Sequence, residues 1–291
     1  MRHALGAWAY RLGWSIVCHV PERLVAPTTD RIADRLWTRR GRAVRRLEAN
    51  LARIEPVDDA ALRSLSRRAM RSYVRYWTEV FRLPRWTPEE IRAAVIPHHT
   101  DRVKDSLRAG RGVVAALPHM GNWDLAGAWA CDDGMPVTTV AERLRPESLY
   151  DDFVRYRESL GMEVLPLSGG QPTMPLLERR LRDGRLVCLL ADRDLSRHSV
   201  AVSLLGEQAR LPIGPALLAQ RTGALLLPVT TAYEGRHMHV RVHEPVDVGS
   251  GEGAVVKATA AVADVFSAAI RRDPADWHML QRVFAGDVEP R

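Results

Sequence analysis

The chain is short of cysteine, of lysine and of aromatic side chains. Its three cysteines, Cys18, Cys131 and Cys188, lie far apart. That odd, sparse set excludes a disulfide framework and points to a reducing compartment. No spacing resembles a zinc site, and no metal is expected. There is no G-x-x-x-x-G-K phosphate loop, no G-x-S-x-G nucleophile elbow and no dinucleotide fingerprint. No uncharged apolar run reaches the ~20 residues that span a bilayer. Aromatics make up only 6% of the chain and no nucleic-acid motif is present, so a pI of 9.8 does not argue for a nucleic-acid partner.

The chain has 291 residues, 46% of them apolar, with a formal charge of +7. That suits one large α/β domain or two small ones, with ample material for a core. The charge is uneven. Residues 1–83 hold 17 Arg against 8 acids, and the remainder holds 25 basic against 27 acidic residues. All the net charge therefore sits in the first quarter, as for a chain that meets an anionic surface. Arginine supplies 40 of the 42 basic residues, a bias that GC-rich genomes impose without mechanistic meaning.

Leu5 to Val20 is apolar, carries Trp8, Tyr10 and Trp14, and is interrupted by Arg11. It reads either as a helix in a membrane interface, where Trp and Tyr settle and Arg snorkels, or as an ordinary first core helix. Pro21-Glu22 breaks the pattern. Thr29 to Ile54 reads as one basic helix with Arg39, Arg40, Arg42, Arg45 and Arg46, ended by Pro56. A second long helix starts at Asp58 or Asp59, repeats apolar residues every three or four positions through Phe81, and stops at Pro84.

From Gly112 short apolar runs alternate with helices. Strands are expected at Val113–Leu117, Val137–Val140, Glu163–Leu165, Leu186–Leu190, Leu225–Thr230 and His237–Val242. Helices are expected at Leu125–Cys131, Leu149–Leu160, Met174–Arg182, Gly214–Thr222 and Val255–Arg271. This is the grammar of an α/β fold with a central, mostly parallel sheet flanked by helices, preceded by an N-terminal helical region. Functional groups in such sheets lie beyond the carboxyl ends of strands.

Two segments occupy such ends. Val113–Leu117 runs into Pro118-His119-Met120-Gly121-Asn122-Trp123-Asp124. A carboxylate that accepts from one imidazole nitrogen fixes the tautomer, and the other nitrogen can then take a proton from a hydroxyl. Exposed N–H groups at Gly121 and Asn122 would face a developing oxyanion. An H-x4-D spacing alone is weak: with ten His and 35 acids, chance supplies about one. The context of strand, Gly-Asn and helix raises its weight. The second segment, Ala191-Asp192-Arg193-Asp194, follows Leu186–Leu190. Its acids either form a salt-bridged surface loop or orient a histidine and bind substrate hydroxyls. Arg143, Arg145, Arg155 and Arg157 form a further basic cluster. His237, His239, Arg241 and His243 share one parity and read as the polar side of an edge strand rather than as metal ligands.

Several linked motifs in this order resemble the lysophospholipid-acyltransferase-like superfamily, in the branch of the late acyltransferases of bacterial lipid A synthesis. They are Arg46 to Leu51, His119 to Asp124, Glu142 to Pro146, Tyr156 to Gly161, Ala191 to Leu195, Leu205-Gly206-Glu207, Pro212 to Gly223 and Pro274-Ala275-Asp276-Trp277-His278. The Ala-Asp-Arg-Asp-Leu run departs from the Asp-Gln-Asp-Gly type of the lipid A enzymes and looks more like actinobacterial phosphatidylinositol mannoside acyltransferases. The arginine bias suits such a source. The resemblance implies a peripheral enzyme on the cytoplasmic face of the plasma membrane. It would move a fatty acyl group, palmitoyl by this likeness, from acyl-CoA to a mannose hydroxyl of a glycophospholipid, with no cofactor beyond that co-substrate. Residues 1–83 would be a basic helical region docking on an anionic membrane, packed on an acyltransferase core over 84–291 in one continuous unit. His119 would be the general base, and either Asp124 or Asp192 would orient it. Arg157 and Arg143 would steady an anionic group. Glu142, Arg193 and Asp194, with Gly121 and Asn122, would line the substrate site. No positioned Ser or Cys nucleophile is present, which agrees with direct transfer. Two other readings stay open: a lipid A-type enzyme using acyl carrier protein, and a non-catalytic module that binds anionic membrane or nucleic acid.

Overall fold

The computed structural model describes residues 22–54, 58–142, 147–167, 172–193 and 198–287. The segment Leu5–Val20, Arg143 and Asp194 lie outside the described residues.

Three helices come first: α1 Glu22–Thr38, α2 Arg42–Leu51 and α3 Asp59–Arg82. The single basic helix expected over Thr29–Ile54 is thus two. Arg40 takes a φ of 43° and Gly41 is extended, so the helical ladder cannot pass between them. Helix α3 begins at its expected cap, where the Asp58 carboxylate accepts the Ala61 N–H. The turn Leu83–Arg85, with Pro84 inside it, closes that helix.

The chain then alternates. Helix α4 (Pro88–Ala94) leads into β1 (Val95–His98), and α5 (Asp101–Arg108) into β2 (Val113–Leu117). Next come α6 (Trp123–Asp132), β3 (Val137–Ala141), α7 (Glu147–Ser159) and β4 (Glu163–Pro166). Then follow α8 (Thr173–Arg182), β5 (Leu186–Leu190) and a hairpin of β6 (Ser199–Leu204) and β7 (Glu207–Pro212). Helix α9 (Gly214–Thr222), β8 (Leu225–Glu234), β9 (His237–Val242) and α10 (Ala254–Arg272) complete the order.

Seven strands form one sheet in the order β1-β9-β8-β2-β5-β3-β4. From β8 to β4 all neighbours are parallel, as the alternating pattern predicts. Strand β9 turns back against β8, and β1 joins β9 in parallel. His237–Val242 is therefore not the edge strand expected from its alternating polarity. Strand β1 covers it, and Pro97 conceals β1 in the sequence because proline is tolerated only on an outer strand. The hairpin is likewise hidden. Its two-residue turn, Leu205-Gly206, has φ of 57° and 91°, and leucine seldom marks such a turn.

Strand β2 is buried at every residue. Its alternate side chains serve two cores. Val114 and Ala116 join α2 and α3 through Leu47, Leu51 and Met70, and α10 through Phe266. Val113, Ala115 and Leu117 join Trp129 and Leu227 on the other face. Helix α2 is also tied to the far end of the chain. The fully buried Asn50 amide donates to Met279 O at 2.7 Å and to Gln281 O at 2.8 Å. Asn50→Ala strands both carbonyls, so urea unfolding should show a loss of about 2–3 kcal/mol.

Candidate active site

Strands β2 and β5 are matched in register, with Leu117 opposite Leu190. The ladder continues for one more bond, Ala191 N–H to Leu117 O at 2.8 Å. His119 and Asp192 each lie two residues beyond the matched pair, so they emerge side by side at the carboxyl end of the sheet. His119 Nδ1 meets Asp192 Oδ1 at 2.5 Å. The other oxygen accepts the His119 backbone N–H and the Trp277 indole N–H, each at 2.9 Å. Asp192 is fully buried, while the His119 side chain keeps 19% of its surface open. Burial alone pushes the Asp192 carboxyl up. The His119 ring and the three donated bonds outweigh it, and the net shift is downward. With Nδ1–H committed to Asp192, Nε2 is the nitrogen left to accept a proton.

The other candidate acid goes elsewhere. Asp124, 2% exposed, accepts Arg157 Nε at 2.7 Å and the Tyr76 hydroxyl at 3.0 Å. No hydrogen bond joins it to His119 among the described residues. The Arg157 guanidinium is held protonated: burial opposes its charge, but Asp124 more than offsets that. Trp123 stands between the two pairs, its ring 5.4 Å from His119 edge-on and 4.3 Å from Tyr76.

A polar layer lies beneath. His278 N–H donates to His119 O at 2.8 Å, and Met120 bridges Trp277. Ser72 Oγ donates to Asp276 Oδ1 at 2.5 Å, so His278 Nε2–H donates to Ser72 at 2.9 Å. Burial, helped by the nearby His119, lowers the His278 pKa to about 3. His278 Nδ1 and Trp123 Nε1 are buried without a partner among the described residues. Asp276 also accepts the Tyr233 N–H at 2.6 Å, and the Tyr233 hydroxyl meets Glu79 at 2.5 Å.

A histidine and a buried carboxylate at adjacent strand ends suit proton transfer, and the family of the chain decides what kind. The model of the bacterial lipid A biosynthesis acyltransferase family matches residues 1–285. The chain belongs to that family. It is an acyltransferase. A phosphatidylinositol mannoside acyltransferase of Mycobacterium tuberculosis (strain H37Rv) is 46% identical over 285 residues, covering 97% of this chain and 89% of that protein. One from Mycolicibacterium smegmatis is 45% identical over 282 residues, covering 96% and 91%.

One sequence expectation for this acyltransferase needs correction. Gly121 and Asn122 do not offer exposed N–H groups, because both are buried and the Gly121 N–H donates to Asp276 O at 3.0 Å. Gly121 has a φ of 52°, and a Cβ there would lie 2.8 Å from Thr231 O, so glycine is required for closeness rather than for an oxyanion. Asn122 caps α6, accepting Leu125 N–H and donating to Glu79. Arg157 is paired with Asp124 through its Nε and one Nη, and 16% of its side chain stays open. Glu142 is exposed just past the last residue of β3. Arg193, beside Asp192, is half-buried, and burial lowers its pKa against the pull of Glu142 and Asp192. Trp277, His278, Ser72 and Tyr76 were not read as site residues. The Asp-Trp-His run was the available signal, since a buried indole needs an acceptor. Cavities of about 390 Å³ and about 310 Å³ are lined elsewhere and do not include His119.

Because His278 is neutral in the fold and its ordinary pKa is 6.5, the unfolded chain binds the extra proton. Its contribution is full above pH 6.5 and declines as pH falls toward 3, at about 1.4 kcal/mol per pH unit. Denaturant titrations across that window should show a shallower acid decline in His278→Gln than in the wild type.

Proposed function

We propose that this acyltransferase moves a long acyl chain, palmitoyl, from acyl-CoA to a mannose hydroxyl of a phosphatidylinositol mannoside. It would act as a peripheral enzyme on the cytoplasmic face of the plasma membrane. The observation that carries the chemistry is the His119–Asp192 pair, with Nδ1 tied and the ring partly open. The names of the mycobacterial relatives support the acceptor.

In this reading Nε2 takes the hydroxyl proton as the oxygen attacks the thioester carbonyl. The tetrahedral intermediate collapses, the C–S bond breaks and the thiolate leaves. The proton on Nε2 then passes to the thiolate, giving ester and free thiol. Asp192 stabilises the imidazolium, and the Asp124–Arg157 pair holds Trp123 and Tyr76 in place. His119→Ala should abolish ester formation. Asp192→Asn should lower kcat by about 10²–10⁴-fold with little change in KM. The assay pairs palmitoyl-CoA with mannosylated and plain phosphatidylinositol, and an acyl carrier protein thioester serves as rival donor. Turnover near wild type in His119→Ala would remove the mechanism.

For the membrane, support comes from α1. It exposes Leu24, Ile32 and Leu36, four or eight residues apart and so on one stripe, beside exposed Arg31, Arg35 and Arg39. No described helix is long and apolar enough to cross a bilayer. Ile32→Glu with Leu36→Glu should weaken sedimentation with anionic vesicles while circular dichroism stays unchanged. Undiminished binding would shift the contact away from α1.

A further inference from the structure

The parallel strands β1 and β9 end together, with His98 opposite Arg241. There the chain leaves β1 through His99, whose φ of 57° is unusual for a side chain of its size. It leaves β9 through His243-Glu244, and the last turn of α10 adds Arg272. These segments surround a cavity of about 310 Å³ lined by His98, His99, Arg102, Arg241, His243 and Arg272, with Val242 and a single carboxylate, Glu244.

The positive charge there is under-compensated. Arg102 is tied to Val242 O at 2.7 Å and to Glu244. Arg272 Nε reaches Asp273 at 2.8 Å, and among the described residues Glu234 reaches only His239. Arg241 meets no carboxylate among the described residues; its neighbour is His239 Nδ1 at 3.3 Å. Burial and then Arg272 lower the Arg241 pKa against the pull of Asp273 and Glu234, and burial followed by the three arginines and His99 brings His243 down to about 4. Cations that repel one another in a recess hold a field suited to a multiply charged anion. A metal is a poor fit, because the rings do not converge. His243 Nε2 is on Thr230 at 2.8 Å, and His98 and His239 face each other at 2.9 Å.

We propose that this cavity is a second ligand site, separate from His119, that takes a phosphate or diphosphate group. Guanidinium forks from one strand end (Arg241), the first turn of α5 (Arg102) and the last turn of α10 (Arg272) match phosphate oxygens in a way that point charges do not. The group comes either from an anionic lipid headgroup or from a soluble phosphate compound. The site is also placed to be felt by the catalytic loop. Thr230 bonds His243, and the next residue, Thr231, bonds Met120 O at 2.5 Å.

The test is calorimetric titration of the full chain with inorganic pyrophosphate at neutral pH and low salt. The expected result is saturable binding that weakens at least roughly tenfold in Arg241→Gln with Arg272→Gln. The rate of acyl transfer without pyrophosphate should be unchanged in that variant. Should the double variant fold poorly, Arg272→Gln alone is used, and the His243 ring is followed by NMR. Pyrophosphate should raise its titration midpoint. Competition by vesicles of phosphatidylcholine with phosphatidylinositol assigns the group to lipid, and indifference to them assigns it to a soluble compound. No binding at about 10 mM pyrophosphate, or equal affinity in wild type and variant, overturns the proposal.

Discussion

The site depends on one buried carboxylate. Asp192 has no solvent, and a bare charge in that position would cost several kcal/mol. It is tolerated because three donors converge on it, from the His119 ring, the His119 backbone and the Trp277 indole. The dependence is mutual. The carboxylate sets the His119 tautomer, and the same contacts pin residues 277–278 over the ends of β2 and β5. Those residues carry Asp276 beside them, which takes Ser72 and Tyr233, and through Tyr233 the network reaches Glu79, Asn122 and the cap of α6. The second pair, Asp124–Arg157, then stands at a fixed separation across Trp123.

Much of this was legible. The short apolar runs with helices between them gave the parallel sheet and placed His119 and Asp192 at strand ends. Which of the two acids meets His119 was not legible, because register decides it. Four residues of loop and helix separate His119 from Asp124 and turn that carboxylate toward Tyr76. Asp192, 73 residues away, arrives beside the ring through the β2–β5 ladder. Pairing across such a distance leaves no local mark. Three of the features that went unread share a cause: each relies on a residue that argues against it. Pro97 sits in a strand, Leu205 in a hairpin turn, and Arg40 breaks a helix with a backbone angle rather than with a proline.

The basic first quarter also changed meaning. Its charge count suggested one broad positive surface. Several of its arginines are paired with carboxylates instead. Arg67 and Arg71 share Asp34, Arg53 spans Glu207 and Asp287, Arg46 also reaches Asp287, and Arg75 meets Glu79. The exposed arginines that remain include Arg31 and Arg35 on α1, Arg42 and Arg45 on α2 and Arg68 on α3. Net charge reported where the cations are in the chain, and burial reports which of them a partner can meet.

The matched pair Leu117–Leu190 carries a consequence for how the protein can vary. The distance from the ladder to His119 and to Asp192 is the same two residues on both strands. An insertion or deletion of one residue at Pro118 or Ala191 would leave both side chains present in the sequence and still part the His119 ring from the Asp192 carboxylate. What is fixed at this site is therefore a count as much as a set of residue types. The segments that can change length freely are those that do not lie between the last ladder bond and the dyad.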